Sequence, residues 1–201
     1  TRLRICLQQT TMSYGELVLV LGDLHLPHRA ASIPESFKKM LIPNKTQHVL
    51  CTGNLCTKEQ YDFLRTLAPS VHVVRGDMDE VPTLPEDTVV KIGDFKIGIC
   101  HGHQIIPWGD DESLSIYARK LDVDILITGH THVNCTREIE GRWFINPGSI
   151  TGAYSGFTCD VKASFICMSI QGDKAVTYVY EMKDGEVQIQ STKYSKPASR
   201  S

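Results

Sequence analysis

The chain has 201 residues, of which 41% are hydrophobic and 22% charged, with a formal net charge of -2. That length suits one globular domain with a full core. The charge balance gives no global pull toward nucleic acid or anionic lipid, and no apolar stretch is long enough to span a bilayer.

Residues 1–16 read as a leader that is disordered or added to the native chain. Its first residue is Thr1, and residues 1–14 have no clear periodicity. The aliphatic run at 17–21 then stops at Gly22-Asp23-Leu24-His25. Such a run predicts a strand buried on both faces, with Asp23 and His25 where the chain turns. Ligands of open α/β sheets bind at that carboxyl edge. A short helix follows over 34–41, with Ser32 as its cap and Phe37, Met40 and Leu41 as its apolar stripe. Residues 48–51 form a second strand, ending at Thr52-Gly53-Asn54. Thr57 and Gln60 make a capping-box pattern, and Tyr61, Leu64 and Leu67 follow helical spacing. A third strand, 71–74, ends at Arg75-Gly76-Asp77-Met78-Asp79. This β-α-β-α-β half implies right-handed crossovers and a largely parallel sheet.

The second half changes character. Strands at 89–92 and 95–100 flank the hairpin turn Gly93-Asp94, and the latter runs into His101-Gly102-His103. A helix over 112–121 leads to a strand at 124–128 that ends at Gly129-His130-Thr131-His132. A hairpin joins 133–138 to 142–145 around Glu140-Gly141. Strands at 163–170, 175–181 and 187–190 close the domain, and the polar tail 192–201 is expected to fray. The picture is one domain over 17–191, with two sheets packed face to face and helices outside. Seven cysteines (Cys6, Cys51, Cys56, Cys100, Cys135, Cys159 and Cys167) are odd in number and contain no Cys-x-x-Cys. They read as core residues of a protein from a reducing compartment.

Five strand ends thus carry polar clusters: Asp23/His25, Asn54, Asp77/Asp79, His101/His103 and His130/His132. A lone Asp-x-His is usually a turn carboxylate beside a surface histidine. Five such clusters in series, finishing in Gly-His-x-His, form a strong signal. Nitrogen and oxygen donors gathered at one edge suit divalent zinc, manganese or iron.

In this order the motifs resemble those of the calcineurin-like metallophosphoesterases. The resemblance implies an α/β/β/α fold, a β-sandwich of two packed mixed sheets flanked by helices. It places Asp23, His25 and His132 at one metal and Asp77, His101 and His130 at another, with Asn54 between. The stretches 19–29, 51–59, 74–77, 95–98, 101–110 and 145–149 resemble more closely the family of retromer small subunits. Retromer is a coat that recycles membrane cargo from endosomes. The resemblance implies a non-catalytic scaffold, cytoplasmic and peripheral on endosomal membranes through its complex. Its partners would be retromer's α-helical solenoid subunit and regulatory proteins on a second apolar patch, with no nucleic acid.

Two departures from the catalytic pattern argue against an enzyme. The aspartate that bridges both metals in active relatives is Asn54 here, and their following asparagine and catalytic histidine are Asp77 and Met78, so the carboxylate has moved rather than vanished. Two dications about 4 Å apart repel by roughly 16 kcal/mol at an effective dielectric near 20, which a neutral amide relieves poorly. Zinc or manganese would then be held weakly, or not at all. A thioether donates no proton, and general acid catalysis is worth about 10²–10⁴-fold. Asp79 or His103 would have to substitute as the acid in the alternative reading, a weakly active phosphoesterase. Ile105, Ile106 and Trp108 read as an apolar rim for the partner, or as plain core. Asn146-Pro147-Gly148-Ser149 reads as structural support beside the metal edge. His28 and Arg29 read as a solvated loop or as phosphate contacts.

Overall fold

In a computed structural model, which describes residues 15–80, 83–156 and 158–197, eleven strands and three helices are formed among those residues. The first half contains β1 (Glu16–Leu21), α1 (Glu35–Met40), β2 (His48–Cys51), α2 (Lys58–Leu67) and β3 (Ser70–Val73). The middle holds β4 (Asp87–Ile92), β5 (Phe95–Cys100), α3 (Asp111–Leu121), β6 (Ile125–Ile127), β7 (Cys135–Ile139) and β8 (Arg142–Asn146). The last three strands are β9 (Ser164–Gln171), β10 (Lys174–Lys183) and β11 (Glu186–Ser195). The leader expected over 1–16 lies outside the described residues except for Gly15 and Glu16, and Glu16 opens β1.

Two mixed sheets result. One has the order β11-β10-β9-β1-β2-β3, the other β4-β5-β6-β8-β7. β1, β2 and β3 run parallel in the first, and β5, β6 and β8 in the second. The period-two geometry of a strand explains the unbroken aliphatic run of β1. Val18 and Val20 point into the layer between the sheets, with Leu50, Ile97, Ile125, Trp143 and Ile166. Leu19 and Leu21 point the other way, onto Phe37 of α1 and Leu64 and Leu67 of α2. On the far side α3 packs Leu114 and Ala118 against Leu126 and Phe144. Four layers, α/β/β/α, follow from these three apolar seams.

The described cysteines form no disulfide; Cys51, Cys56 and Cys100 are buried, and burial pushes the Cys56 thiol up to about 11. Several local expectations need correction. The tail does not fray from residue 192: β11 continues to Ser195, paired with Lys174. Tyr194 anchors it, 3% exposed, stacked on Trp143 and donating its hydroxyl hydrogen to the Gly141 carbonyl at 2.8 Å. The capping signals also fail. Pro34, not Ser32, precedes α1, and Thr57 precedes α2 without a side-chain bond. The Thr57 hydroxyl is buried and unpartnered among the described residues. The working cap is Asp110 on α3, which accepts from the Ser113 N–H at 2.9 Å.

Candidate metal centre

Because β1, β2 and β3 are parallel, as are β5 and β6, their carboxyl ends release loops at one edge of the sandwich. Backbone bonds tie the loops together: Asp23 N–H donates to the Gly53 carbonyl at 3.0 Å, and Gly129 N–H to the His101 carbonyl at 2.8 Å. Side chains join the two sheets, with His130 N–H donating to Asp23 Oδ2 at 3.0 Å. Close approach dictates two glycines. A Cβ on Gly76 would lie 2.1 Å from Asn54 Oδ1, and one on Gly129 2.7 Å from Asp23 Oδ2. Asp23, His25, Asn54, His130 and His132 all have positive φ, between 48° and 68°. Such backbone strain costs on the order of 1–3 kcal/mol per residue and gathers at functional sites.

All seven residues expected at the metal edge converge. Six of them form two triads: Asp23, His25 and His132, all buried, and buried His101 with the more exposed Asp77 and His130. Within each triad the donor atoms lie within 4.8 Å of one another. Asp23 Oδ1 is 3.3 Å from His132 Nε2, and Asp77 Oδ1 is 2.9 Å from His101 Nε2. Carbonyls fix two of the rings. His101 Nδ1 lies 2.7 Å from the Thr52 oxygen and His132 Nδ1 2.6 Å from that of Ala153, so each Nδ1 carries a hydrogen and each Nε2 faces the cluster. His130 presents Nδ1 instead, 3.7 Å from Asp77 Oδ1. Two imidazoles and a carboxylate with room for further ligands is a donor set that fits zinc.

Charge follows the same grouping. Burial alone would raise the Asp23 pKa, but His101, His132 and His25 outweigh it and hold the carboxyl well below its usual range. A hydrogen bond from His101, with His130 close by and a further bond from Asn54, holds Asp77 low as well. For His101, burial is overcome by Asp23 and Asp77, and its pKa is raised.

Asn54 lies between the triads, and a backbone bond sets its orientation. Its Oδ1 accepts the Met78 N–H at 2.9 Å. A backbone N–H is only ever a donor, so the amide must turn Nδ2 toward the cluster. That nitrogen lies 3.0 Å from Asp77 Oδ1 and 3.3 Å from Asp23 Oδ1. Asn54 is thus a hydrogen-bond donor between two carboxylates.

Neither substitute acid is arranged for the task. Asp79 Oδ2 accepts from Asn54 N–H at 2.7 Å and Gly76 N–H at 2.8 Å, and its Oδ1 from Cys56 N–H at 2.9 Å. A carboxylate so saturated clamps the two loops, with both oxygens turned to backbone donors. The signal for it was present, since an acidic side chain two residues beyond Gly76-Asp77 can reach back to the turn. Burial, then the charge of His101, holds His103 below the usual histidine range, so it is neutral at pH 7.

Beside the cluster, Ser149 donates to the Asp23 carbonyl at 2.7 Å, Thr151 to that of Leu24 at 2.9 Å, and Asn146 Nδ2 to that of Gly129 at 3.0 Å. The Asn146 to Ser149 turn therefore supports the metal edge. On the rim, Ile106 is 75% and Trp108 43% exposed. Trp108 sets its ring edge-on against His130 and donates its indole N–H to the His103 carbonyl at 3.1 Å. Ile105 does not belong to the rim: it is 5% exposed and packs with Leu114 and Phe144. His28 is exposed; Arg29 bonds to Tyr154 and Met78. A second apolar patch lies at the amino end of β1, where Leu17, Met40 and Ile42 are exposed around a groove floored by Leu41, Leu67 and Phe165.

The family model described as the calcineurin-like phosphoesterase superfamily domain matches residues 17–173. Vacuolar protein sorting-associated protein 29 of Schizosaccharomyces pombe is 40% identical over 185 residues, covering 90% of this chain and 99% of that protein. The crystal structure of wild-type Vps29 of Entamoeba histolytica complexed with zinc is 55% identical, with a TM-score of 0.84, covering 88% of this chain and 98% of that one. Chaetomium thermophilum Vps29, complexed with a cyclic peptide, is 36% identical with a TM-score of 0.81, covering 92% of this chain and 99% of that one.

Proposed function

The chain belongs to the calcineurin-like phosphoesterase superfamily and, within it, to the family of vacuolar protein sorting-associated protein 29, and we propose from that premise that it is a non-catalytic scaffold subunit of retromer. Retromer's α-helical solenoid subunit docks on the metal edge. Regulatory proteins dock on the apolar patch around Leu17, Met40 and Ile42. The chain reaches endosomal membranes through the complex; none of its described helices is long and apolar enough to cross one.

The observation that carries this reading is the amide of Asn54. Both triads are complete, yet a neutral donor, its oxygen engaged by Met78 N–H, stands where catalysis needs an anionic bridge. One zinc, or two weakly held, fits such a centre. Asp23, His25 and His132 would hold one ion and Asp77, His101 and His130 the other. A bound metal would supply Lewis acidity, but Met78, where active relatives carry the catalytic histidine, has no proton to give a leaving alkoxide. The cavity above the cluster supports the same view. At 180 Å³ it is smaller than the roughly 300–1,000 Å³ usual for substrate pockets. The rim of Ile106 and Trp108 gives a large partner apolar anchors instead.

The test is a titration of the purified chain with the C-terminal half of the solenoid. The unaltered chain should bind, and Ile106→Asp should weaken binding by about thirtyfold or more, equivalent to about 2 kcal/mol. His132→Ala should matter less. No association of the unaltered chain would sink the retromer reading, whereas indifference to Ile106→Asp would move the interface to another face.

A further inference from the structure

We propose that Arg29 is a recognition residue for an acidic side chain of the protein that covers the metal edge. The inference rests on the scaffold reading above and adds to it the chemistry the partner must present. Arg29 lies four residues beyond His25, and its backbone N–H donates to the His25 carbonyl at 2.9 Å. Its guanidinium is held from both sides of the cavity. Nη1 donates to the Tyr154 carbonyl at 3.1 Å, Nη2 lies 3.0 Å from Met78 Sδ, and the group sits 5.1 Å from the centroid of the Tyr154 ring. These contacts fix its position and satisfy two of its five N–H donors, but they leave its charge uncompensated. Arg75, Arg119 and Arg137 each close on a carboxylate, whereas no carboxylate of the described residues lies within 4.0 Å of Arg29.

The partly buried, pinned cation faces the mouth of the cavity it lines with Asp77, Trp108, His130 and Ser155. Trp108 in that lining is exposed, as are Tyr154, against which the guanidinium lies, and Ile106, two residues before Trp108. Trp, Tyr and Arg are the residues that dominate protein interfaces, and a preorganised guanidinium loses little entropy when it binds. The complementary group is a planar monoanion. A carboxylate matches the guanidinium fork with two parallel hydrogen bonds. Asp77, 39% exposed in the same wall, opposes any anion there, and a phosphate dianion about twice as strongly as a monoanionic carboxylate. The occupant is therefore an aspartate or glutamate carried on the partner's surface.

The experiment titrates the solenoid's C-terminal half into the full chain and into Arg29→Ala, Arg29→Lys and Arg29→Glu, at low and at physiological salt, with circular dichroism checking each fold. Arg29→Ala should weaken binding by about 10–100-fold, Arg29→Glu by more, and Arg29→Lys by less than Arg29→Ala. Affinity of the unaltered chain should fall with salt, and that dependence should flatten in Arg29→Ala. Lysine placed at one acidic position of the partner should restore binding to Arg29→Glu. Binding within twofold of the unaltered chain for all three variants would overturn the inference and leave the scaffold reading standing. Failure of the unaltered chain to bind would defeat both. Inorganic phosphate bound through Arg29 while the solenoid ignores every variant would assign the cation to a small oxyanion and overturn the proposal.

Discussion

Replacing Asp79 by alanine removes one acceptor from three backbone donors at 2.7, 2.8 and 2.9 Å. Hydrogen bonds to a charged group contribute about 1.5–3 kcal/mol each, but three that share a carboxylate are not additive, and water will reach this half-buried site. A loss of about 3–4 kcal/mol is a substantial part of the roughly 5–15 kcal/mol typical of a domain. For a chain of this size it lowers Tm by about 6–16 °C. The donors belong to Asn54, Cys56 and Gly76, so the loops that carry Asn54 and Asp77 separate first. Zinc affinity should therefore fall by about 10–100-fold although Asp79 touches no metal position. Asp79→Asn keeps one acceptor oxygen, with room for two of the three bonds, and should lie between the unaltered chain and alanine. Thermal melts followed by circular dichroism, with calorimetric zinc titrations of each variant, make the measurement. A Tm within about 2 °C of the unaltered chain for Asp79→Ala would refute the clamp.

Zinc should bind the unaltered chain with micromolar or weaker affinity, reduced by His130→Ala or Asp23→Ala, and nanomolar binding of two ions would contradict the bridge argument. Asn54→Asp should raise both affinity and stoichiometry in calorimetry, while lowering the Tm of the metal-free protein because a third carboxylate joins Asp23 and Asp77. Hydrolysis of p-nitrophenyl phosphate should stay near background and rise when Asn54→Asp, Asp77→Asn and Met78→His are combined; ordinary enzyme rates in the unaltered chain, lost with His101→Ala, would restore the enzymatic reading. The pH dependence of the metal-free protein has two limbs. Asp23 and Asp77 are held low, so their contribution is present above the ordinary carboxylate value of 3.8 and is lost as pH falls through their folded values. His101 is held high, so its contribution is full below 6.5 and is lost as pH rises through its folded value. Melts across pH should show the cluster stabilising most between those two values, and Asp23→Asn should flatten both limbs.

The strand ends were legible because each buried strand stops at a glycine or a polar turn, and chain order alone assigned the donors to one edge. What escaped the sequence depends on partners distant in the chain. The amide of Asn54 is turned by the N–H of Met78, 24 residues on. Ile105 and Ile106 differ in exposure, 5% against 75%, on an irregular segment where no period says which side chain points inward. The end of β11 is polar and reads as a tail; only pairing with β10 and the burial of Tyr194 keep it in the sheet. Thr57 and Gln60 fit a capping pattern whose bond does not form, since the pattern records residue types and not where the hydroxyl points. The same long-range contacts bear on why a chain proposed to be non-catalytic keeps its triads. Five residues of the metal edge have left-handed backbone, and the loops that carry them come from both sheets. Without Asp23, the His130 N–H and the Asn54 amide each lose an acceptor, and the rim bearing Trp108 loses the histidine ring it packs against in its fixed position. The same carboxylates and imidazoles that would hold a metal therefore hold the shape of the surface offered to the partner, and that work does not require turnover.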